Sequence, residues 1–261
     1  MKVVVAVKAV AALDDEAELV DGDTAVDPDG LEWDLNEWDA FSLEEALTLR
    51  DGAGDGEVVA LTVGDEEAQD SLLACLAKGA DRAVRIWDDA LEGADPLAVA
   101  RVLAAAIEPE APDLVLCGVQ SSDAVNGATG VAVAAHLGLP HVAVVKRLEL
   151  EAGVATVERE LEGGLVEVLR IRLPALMTIQ TGINEPRYAT LRAIKQARDK
   201  PLSELGLDDV GLDAARVGAS AGARLRRLRH PEKGEGAEML DGSPEDVAAR
   251  IADIVKERMS A

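Results

Sequence analysis

The sequence predicts an α/β fold in which a doubly wound, mostly parallel sheet is covered by helices on both faces. Short apolar runs alternate along the chain with amphipathic stretches, which is the pattern of parallel strands joined by crossover helices. The apolar runs are continuous rather than alternating, as in strands that are buried on both faces. Hydrophobic residues make up 48% of the 261 residues, which is enough for a buried core despite the acidic composition.

Six strands and four helices are predicted from these runs. The strands occupy residues 3–7, 58–63, 83–87, 114–117, 142–145 and 176–179. The helices occupy residues 42–50, 66–77, 96–107 and 128–137. Ser42 followed by Glu45 has the spacing of a capping box at the start of a helix. Gly79 and Gly138 stand where helices commonly end.

An antiparallel hairpin is predicted after the parallel strands. Residues 147–151 and 155–159 are joined by a turn that contains glycine, and residues 165–172 could add a third strand. The hairpin belongs to the same domain as the parallel strands in this interpretation.

The character of the chain changes at residue 202. A loop-like stretch is followed by four arginines within residues 223–230 and by a final helix over residues 244–258. We divide the chain into an α/β domain of residues 1–201 and an extended C-terminal arm of residues 202–261, which is not expected to complete the sheet. The arm packs on another subunit in this interpretation, and the alternative is that it folds back on its own domain.

Acidic residues outnumber basic ones almost two to one. There are 50 Asp and Glu against 26 Lys and Arg, and the formal net charge is −24. This charge repels polyanions, so it argues against nucleic acid as a partner and against binding to anionic lipid. Only 8 of the basic residues are lysines, and many carboxylates with few lysines are typical of a halophilic protein from a salt-saturated cytoplasm. An acidic protein from an ordinary cytoplasm is the alternative.

The N-terminal residues do not predict a targeting segment. About five consecutive apolar residues follow Lys2, too few for a signal sequence or a membrane span. We therefore expect a cytoplasmic protein without direct membrane insertion.

Catalytic and metal-binding patterns are missing from the sequence. It contains neither a Walker-type phosphate loop nor a Gly-x-Gly-x-x-Gly motif after its first strand. Its three histidines form no defensible Ser/His/Asp arrangement. Cys75 and Cys117 lie in apolar runs, as inert buried thiols do, and no Cys-x-x-Cys motif predicts a metal site. The sequence therefore predicts no catalytic residue and no metal ligand.

Residues 117–130 form a polar segment that follows a predicted strand and opens a predicted helix. Backbone N–H groups at the start of a helix point outward and favour an anion. Hydroxyl and amide side chains surround them, and glycines would allow a close approach of the backbone. The segment could hold a phosphate by neutral donors, or it could be an ordinary polar loop with helix caps.

Two other segments each allow two interpretations. In residues 34–39, Asn36 and Asp39 could cap the following helix, and Trp38 could belong to the core or cover a planar ligand. In residues 185–200, five basic residues oppose two acidic ones. That basic stretch could be a docking surface or a solvated helix face.

Taken together, these segments resemble the β subunit of electron transfer flavoproteins. The strongest pattern is Asn-Glu-Pro-Arg-Tyr-Ala-Thr-Leu at residues 184–191. Residues 3–8, 36–46, 78–82 and 159–164 also match the family, in the same order, so that the resemblance covers nearly the whole chain.

The chain is most similar to the branch of the family that is linked to trimethylamine dehydrogenase. Residues 34–39, residues 118–123 and the Pro-Glu-Lys-Gly tail at residues 231–234 carry this likeness. The resemblance implies a Rossmann-like domain of the adenine-nucleotide-binding type. It also implies a heterodimer with a larger electron transfer flavoprotein α subunit.

The resemblance implies two cofactors, AMP bound in this subunit and FAD held mainly by the α subunit. Leu13 and Trp38 would lie near the flavin, and the backbone of residues 126–129 would hold the phosphate of AMP. The full set of cofactor-binding residues implied is Ala6, Leu13, Asn36, Glu37, Trp38, Asp39, Val63, Gly118, Val119, Gln120, Ser121, Ser122, Asp123, Asn126, Gly127, Ala128 and Thr129.

The resemblance also implies that residues 179–200 form a recognition loop, which docks partner dehydrogenases. Leu191 would be the apolar anchor and Tyr188 would lie beside it. The residues implied in docking are Pro186, Arg187, Tyr188, Leu191 and Lys195. Arg159 and Glu160 would touch the mobile flavin domain of the α subunit.

The function implied is that of an electron carrier rather than an enzyme with its own substrate. It would accept electrons from flavin dehydrogenases and pass them to the electron transfer flavoprotein quinone oxidoreductase. One alternative is the β subunit of a bifurcating electron transfer flavoprotein, which holds a second FAD in place of AMP. Another is a stand-alone sensor protein that binds an adenine nucleotide.

Overall fold

The computed structural model of the chain describes residues 1–13, 17–20, 22, 24–27, 30–218, 222–230, 236, 237 and 239–260. The Pro-Glu-Lys-Gly tail at residues 231–234 lies outside these residues. All statements about structure below refer to the described part of the chain.

Thirteen strands and seven α-helices make up the described fold. The strands are β1 (Lys2–Ala6), β2 (Ala9–Ala11), β3 (Leu19–Val20), β4 (Ala25–Val26), β5 (Trp33–Leu35), β6 (Glu57–Val63), β7 (Arg82–Ile86), β8 (Leu114–Gly118), β9 (His141–Glu151), β10 (Val154–Glu160), β11 (Val166–Arg172), β12 (Ala175–Ile179) and β13 (Leu202–Leu205). The helices are α1 (Glu37–Ala53), α2 (Ala68–Lys78), α3 (Pro96–Ile107), α4 (Thr129–Leu137), α5 (Leu191–Ala197), α6 (Ala214–Gly218) and α7 (Pro244–Met259).

Nine of these strands form one sheet, in the order β11-β10-β9-β12-β8-β1-β6-β7-β13. Along the part of this sheet in the order β9-β12-β8-β1-β6-β7-β13, every pairing is parallel. Within this sheet, only the two pairings made by β10 are antiparallel. The chain runs from β1 outward to β6 and β7 and then returns to the other side of β1 as β8. The predicted doubly wound, mostly parallel sheet with an antiparallel hairpin is therefore confirmed.

Helices cover both faces of this sheet, as the continuous apolar strands predict. In β1, Val3 and Val5 pack into one apolar cluster while Val4 and Ala6 pack into another. Successive side chains of a strand point to opposite faces, so an uninterrupted apolar run fills a core on each side.

The predicted helix over residues 42–50 begins earlier than its capping pattern indicates. It starts at Glu37, and Ser42 lies inside it, where its hydroxyl donates to the carbonyl of Trp38 at 3.0 Å. The predicted capping box at Ser42 is wrong, because a serine within a helix can bond the carbonyl four residues back instead. The two predicted helix ends are confirmed, since Gly79 and Gly138 donate their backbone N–H groups to the last turns of α2 and α4.

The predicted break between strands 142–145 and 147–151 is absent, and both lie in the single long strand β9. The hairpin prediction is confirmed, because β9 pairs antiparallel with β10, and β10 pairs with β11.

The expectation that no residue beyond 201 joins the sheet is wrong. Strand β13 pairs in parallel with β7, with Leu202 opposite Ala83 and Leu205 opposite Ile86. Its Leu-Ser-Glu-Leu sequence is short and half polar, which suits the exposed edge of a sheet. It contains no apolar run from which a strand would be predicted.

The final helix is confirmed as α7, which begins after a capping box formed by Ser243 and Asp246. It buries no residue, although Ile251, Val255 and Met259 lie on it. No helix in the described part of the chain is long and apolar enough to cross a membrane.

Helix α4 packs so closely on the sheet that Gly130 has no room for a side chain. A Cβ at this position would meet the Sγ atom of Cys117 and would lie 2.8 Å from Cγ2 of Thr178. We expect Gly130→Ala to lower the free energy of unfolding by about 1–3 kcal/mol, as overpacking does. Gly52→Ala is the control, because nothing lies within 4 Å of its Cβ position in α1. Chemical denaturation should show the control stabilised by about 0.5–1 kcal/mol, and an equal effect of both variants would contradict the packing argument.

Candidate functional site

A cavity of about 230 Å³ opens at the carboxyl ends of the parallel strands. Its walls come from the ends of β1 and β6, the segment after β8, and helices α3 and α4. The cavity lies where the strand order reverses, since β6 and β8 flank β1 on opposite sides. Doubly wound folds bind their ligands at this place.

Twelve of the predicted cofactor-binding residues line this cavity. They are Ala6, Asn36, Asp39, Val63, Gly118, Val119, Gln120, Ser121, Asn126, Gly127, Ala128 and Thr129. Five others do not line it, namely Leu13, Glu37, Trp38, Ser122 and Asp123. Residues far apart in the sequence thus meet around one space, as the resemblance implies.

One wall of the cavity is apolar and was not predicted from the sequence. Helix α3 and the residues before it supply Ala94, Pro96, Val99 and Leu103 to this wall. The other lining residues that were not predicted are Val7, Lys8, Val115, Cys117, Ala124, Gly130, Val133 and Leu176. Most of them are apolar and have the same pattern as core residues, so no sequence signal separates the two roles; Lys8, directly after the first strand, was the exception.

The segment between β8 and α4 presents free backbone donors. Within the described residues, no hydrogen bond uses the backbone N–H groups of Asn126, Gly127, Ala128 or Thr129. Gly127 has a φ of +60°, which glycine adopts without strain and which turns the chain into α4. Open N–H groups at the start of a helix can hold an anion without any charged side chain.

Lys8, Asn36 and Asp39 join three separate segments at the mouth of the cavity, and we call them the strand-end network. Asp39 accepts at Oδ1 from the N–H of Gly118 at 2.9 Å and at Oδ2 from the N–H of Lys8 at 2.8 Å. Asn36 donates from Nδ2 to the carbonyl of Gln120 at 2.9 Å and accepts at Oδ1 from another loop amide at 3.2 Å, that of Ser122.

Asn36 and Asp39 are thus not the helix caps that the sequence allowed. Asn36 stands at the N-cap position of α1 but makes no side-chain cap bond. Burial raises the pKa of Asp39 to about 7, although the hydrogen bonds from Gly118 and Lys8 oppose this rise. Burying a carboxylate in this way costs free energy, and the hydrogen bonds to the groups that it connects offset part of this cost.

Lys8 also ties the far part of the loop to the sheet. Its Nζ atom pairs with Oδ2 of Asp123 at 2.5 Å. Desolvation alone would raise the pKa of Asp123, but the hydrogen bond and charge of Lys8 hold it below its ordinary value. Lys8, the one lysine among the described residues that line the cavity, is therefore paired with a carboxylate of the protein.

The segment with the Pro-Arg-Tyr pattern is fastened to α1. Arg187 donates from its backbone and its guanidinium to Glu44, at distances of 2.9–3.1 Å, and pairs with Asp51 at 3.2 Å. Asn184 donates to Glu45 at 2.9 Å. The bonds of Asn184 and Arg187 therefore hold this loop in place against α1.

The apolar residues of the same segment point away from the protein. Tyr188 is 96% exposed and Leu191 is 81% exposed. Lys195 is exposed as well, while Pro186 is half-buried against the domain. Large apolar side chains that are exposed close together in the sequence are candidates for a binding surface.

Four other predicted residues lie outside the lining of the cavity. Leu13 is 48% exposed, and Trp38 donates from Nε1 to Oε1 of Gln180 at 2.9 Å. Arg159 pairs with Glu167 across the hairpin at 2.6 Å, and Glu160 is exposed at the end of β10. No group of three His, Cys, Asp or Glu side chains is arranged for a metal ion in the described ranges.

Comparison with known proteins identifies the family. The electron transfer flavoprotein domain matches residues 23–210. The electron transfer flavoprotein subunit beta of Methylophilus methylotrophus is 50% identical over 98% of both chains. The chain belongs to the electron transfer flavoprotein β-subunit family.

Two other relatives show how far this family extends. The electron transfer flavoprotein subunit beta of Bacillus subtilis is 35% identical over 93% of both chains. A subunit of Acetobacterium woodii that is named for a caffeyl-CoA reductase-Etf complex, CarD, is 36% identical over 86% of both chains.

Membership in the electron transfer flavoprotein β-subunit family confirms the resemblance drawn from residues 184–191 and the other segments. Members of this family are electron carriers rather than enzymes with a substrate of their own, and a β subunit implies an α subunit as its partner. The α/β sheet described above agrees with the family's domain.

Proposed function

We propose that this chain is the β subunit of a heterodimeric electron transfer flavoprotein that binds structural AMP and docks the complex on its electron donors. The complex accepts electrons from flavin dehydrogenases and delivers them to the electron transfer flavoprotein quinone oxidoreductase. The flavin chemistry belongs to FAD, which the α subunit mainly holds. The observation that carries this proposal is a cavity at the carboxyl ends of the parallel strands, with open amide donors at the start of α4.

The lining of the cavity favours a nucleotide with a single phosphate. Val99 and Leu103 offer an apolar surface for a purine ring. The amides of Asn126, Gly127 and Ala128 offer neutral donors for one phosphate at the start of α4. Lys8 is paired with Asp123, so among the described lining residues no unpaired lysine or arginine is available for further phosphates.

The last helix of the C-terminal arm packs on the α subunit in this proposal, because the first part of the arm folds back on its own domain. Strand β13 pairs with β7, and Asp95 accepts from the N–H of Ala223 at 2.8 Å. Helix α7 buries none of its residues, and its exposed Ile251, Val255 and Met259 are large and apolar. Positions 251, 255 and 259 are four residues apart, so they share one face of the helix. An unpartnered apolar stripe of this kind supports a partner subunit more than it supports a stand-alone nucleotide sensor.

The electron donors are dehydrogenases that dock on the recognition loop of residues 179–200, with Leu191 as the apolar anchor and Tyr188 beside it. Arg159 and Glu160 face the mobile flavin domain of the α subunit. We place the complex in a cytoplasm of high salt, where concentrated ions screen the net charge of −24.

The nucleotide content of the purified αβ complex tests the proposal. Acid extraction should release FAD and AMP in equal amounts. Release of two FAD molecules for each complex would replace the proposal by the bifurcating alternative, and release of FAD alone would remove the AMP site.

A variant of the cavity wall tests whether AMP binds in this cavity. Val99 is half-buried and lines the cavity, so Val99→Trp should fill the space and lower the AMP content about tenfold or more. Leu97→Trp, at a 50% exposed position of the same helix, is the matched control and should retain AMP. Both variants should keep FAD.

A further inference from the structure

The strand-end network connects three segments that the sequence keeps far apart. Lys8 follows β1, Asn36 and Asp39 begin α1, and Gly118 to Ser122 form the first part of the loop over the cavity. The backbone adds to these connections, because the N–H of Asn36 donates to the carbonyl of Lys8 at 2.9 Å. The loop over the cavity thus has its start fastened to the two elements beside it.

The polar atoms of this network already have partners inside the protein. Both carboxylate oxygens of Asp39 accept backbone N–H groups, and both polar atoms of the Asn36 side chain bond to the loop backbone. Asn36 is 1% exposed and Asp39 is 5% exposed. We propose that Asn36 and Asp39 are positioning residues, which set the place of residues 118–122 for the nucleotide instead of binding it with their side chains. This inference rests on the proposed AMP site.

The chemistry of Asp39 fits this role. The N–H groups of Lys8 and Gly118 belong to the ends of adjacent strands, and one carboxylate offers an acceptor to each. An asparagine in the same place has one acceptor and turns its NH₂ group toward the other N–H group. The side chain of Asp39 therefore bridges two strand ends in a way that its amide cannot.

The surroundings of Gly118 show how closely the two elements joined by this bridge approach each other. A Cβ on Gly118 would lie 2.6 Å from Oδ1 of Asp39 and 2.5 Å from Cβ of Trp38. The start of α1 and the end of β8 thus approach each other until no side chain fits between them. Such an approach is what a short bridge from Asp39 to the backbone of Gly118 requires.

Hydrogen exchange of the αβ complex freed of AMP tests the positioning role without this ligand, at a pH above the raised pKa of Asp39, where both carboxylate oxygens can accept. We expect Asp39→Asn to raise the exchange rate of the bonded amides of this segment, those of Gly118, Val119 and Ser122, at least tenfold, since one bridge to a strand end is lost. Because asparagine fills the space of aspartate, a role in packing alone would survive this substitution. Asp34→Asn, which removes an exposed carboxylate from β5, is the matched control and should leave these amides protected.

AMP binding to the same complexes separates positioning from contact. Asp39→Asn should weaken AMP binding about tenfold to a hundredfold together with the faster exchange, and it should leave the FAD content unchanged. Weaker binding with unaltered exchange would make Asp39 a direct ligand and overturn the inference, as would faster exchange with unaltered binding. A wild-type complex without affinity for AMP would refute the proposed function, whereas the exchange experiment would still decide whether Asp39 fastens the loop.

A second variant covers a failure of Asp39→Asn to fold. Asn36→Asp keeps the acceptor for the N–H of Ser122 but turns an acceptor toward the carbonyl of Gln120. We expect faster exchange in residues 120–122 and a weaker affinity for AMP, with Gly118 still protected by Asp39. Unchanged exchange in these residues would overturn the role of Asn36.

Discussion

Leu191→Ala should slow electron transfer from the partner dehydrogenase about thirtyfold or more, while the FAD and AMP contents of the complex stay unchanged. Leu191 is 81% exposed at the first position of α5, so its side chain contributes little to the fold and remains free for a partner. A central apolar anchor commonly accounts for about 2 kcal/mol or more of the binding free energy in an interface. Stopped-flow reduction of the αβ complex by the dehydrogenase, as a function of concentration, measures the effect.

Leu97→Ala is the matched control for this prediction. Leu97 is 50% exposed on α3 and lies outside the docking segment, so the same truncation there should leave the transfer rate unchanged. An equal loss in both variants would show a general effect of surface apolar residues. A normal rate for Leu191→Ala would remove Leu191 from the docking role.

Most of the sheet could be predicted because its strands are continuous apolar runs. Residues 3–7 and 176–179 match β1 and β12 within one residue at each end. Helix α3 matches its predicted bounds, since Asp95 caps it and Pro96 starts it. Strand β13 could not be found in this way, because a four-residue edge strand with two polar positions carries no apolar run.

The polar half of the candidate site could be predicted, whereas its apolar half could not. Residues 118–129 contain glycines, hydroxyls and amides between a strand and a helix, a pattern that indicates a ligand loop. Val99 and Leu103 repeat at helical spacing in the same way as core residues do. Only the three-dimensional arrangement shows that they face a cavity instead of another element.

The roles of the polar side chains could not be predicted for a different reason, namely that their partners are distant in the sequence. The basic stretch predicts Arg187 as a docking cation, yet its guanidinium and its backbone N–H donate to Glu44 on α1. Asp39 reads as a helix cap, yet it joins the ends of β1 and β8. In both cases the partner lies between 31 and 143 residues away in the sequence, beyond the reach of any local pattern.

The stability of the complex should depend on pH in a way that is specific to Asp39. Burial raises the pKa of this carboxyl from 3.8 to about 7, so the folded state takes up a proton that the unfolded state releases above its ordinary pKa. The contribution of this group to stability is complete below about pH 4 and is lost as the pH rises through about 7. The full loss corresponds to about 4 kcal/mol.

Chemical denaturation of the αβ complex at about pH 5 and about pH 8 measures this dependence. Relative to Asp39→Asn, which cannot titrate at this position, the wild-type complex should lose about 2–3 kcal/mol between these two conditions. Asp95→Asn provides a contrast, because backbone N–H groups of Ala98 and Ala223 lower the pKa of Asp95 and its contribution disappears only as the pH falls. Parallel pH profiles for the wild type and Asp39→Asn would mean that the folded complex keeps Asp39 hydrated, and the buried bridge between β1 and β8 would have to be abandoned.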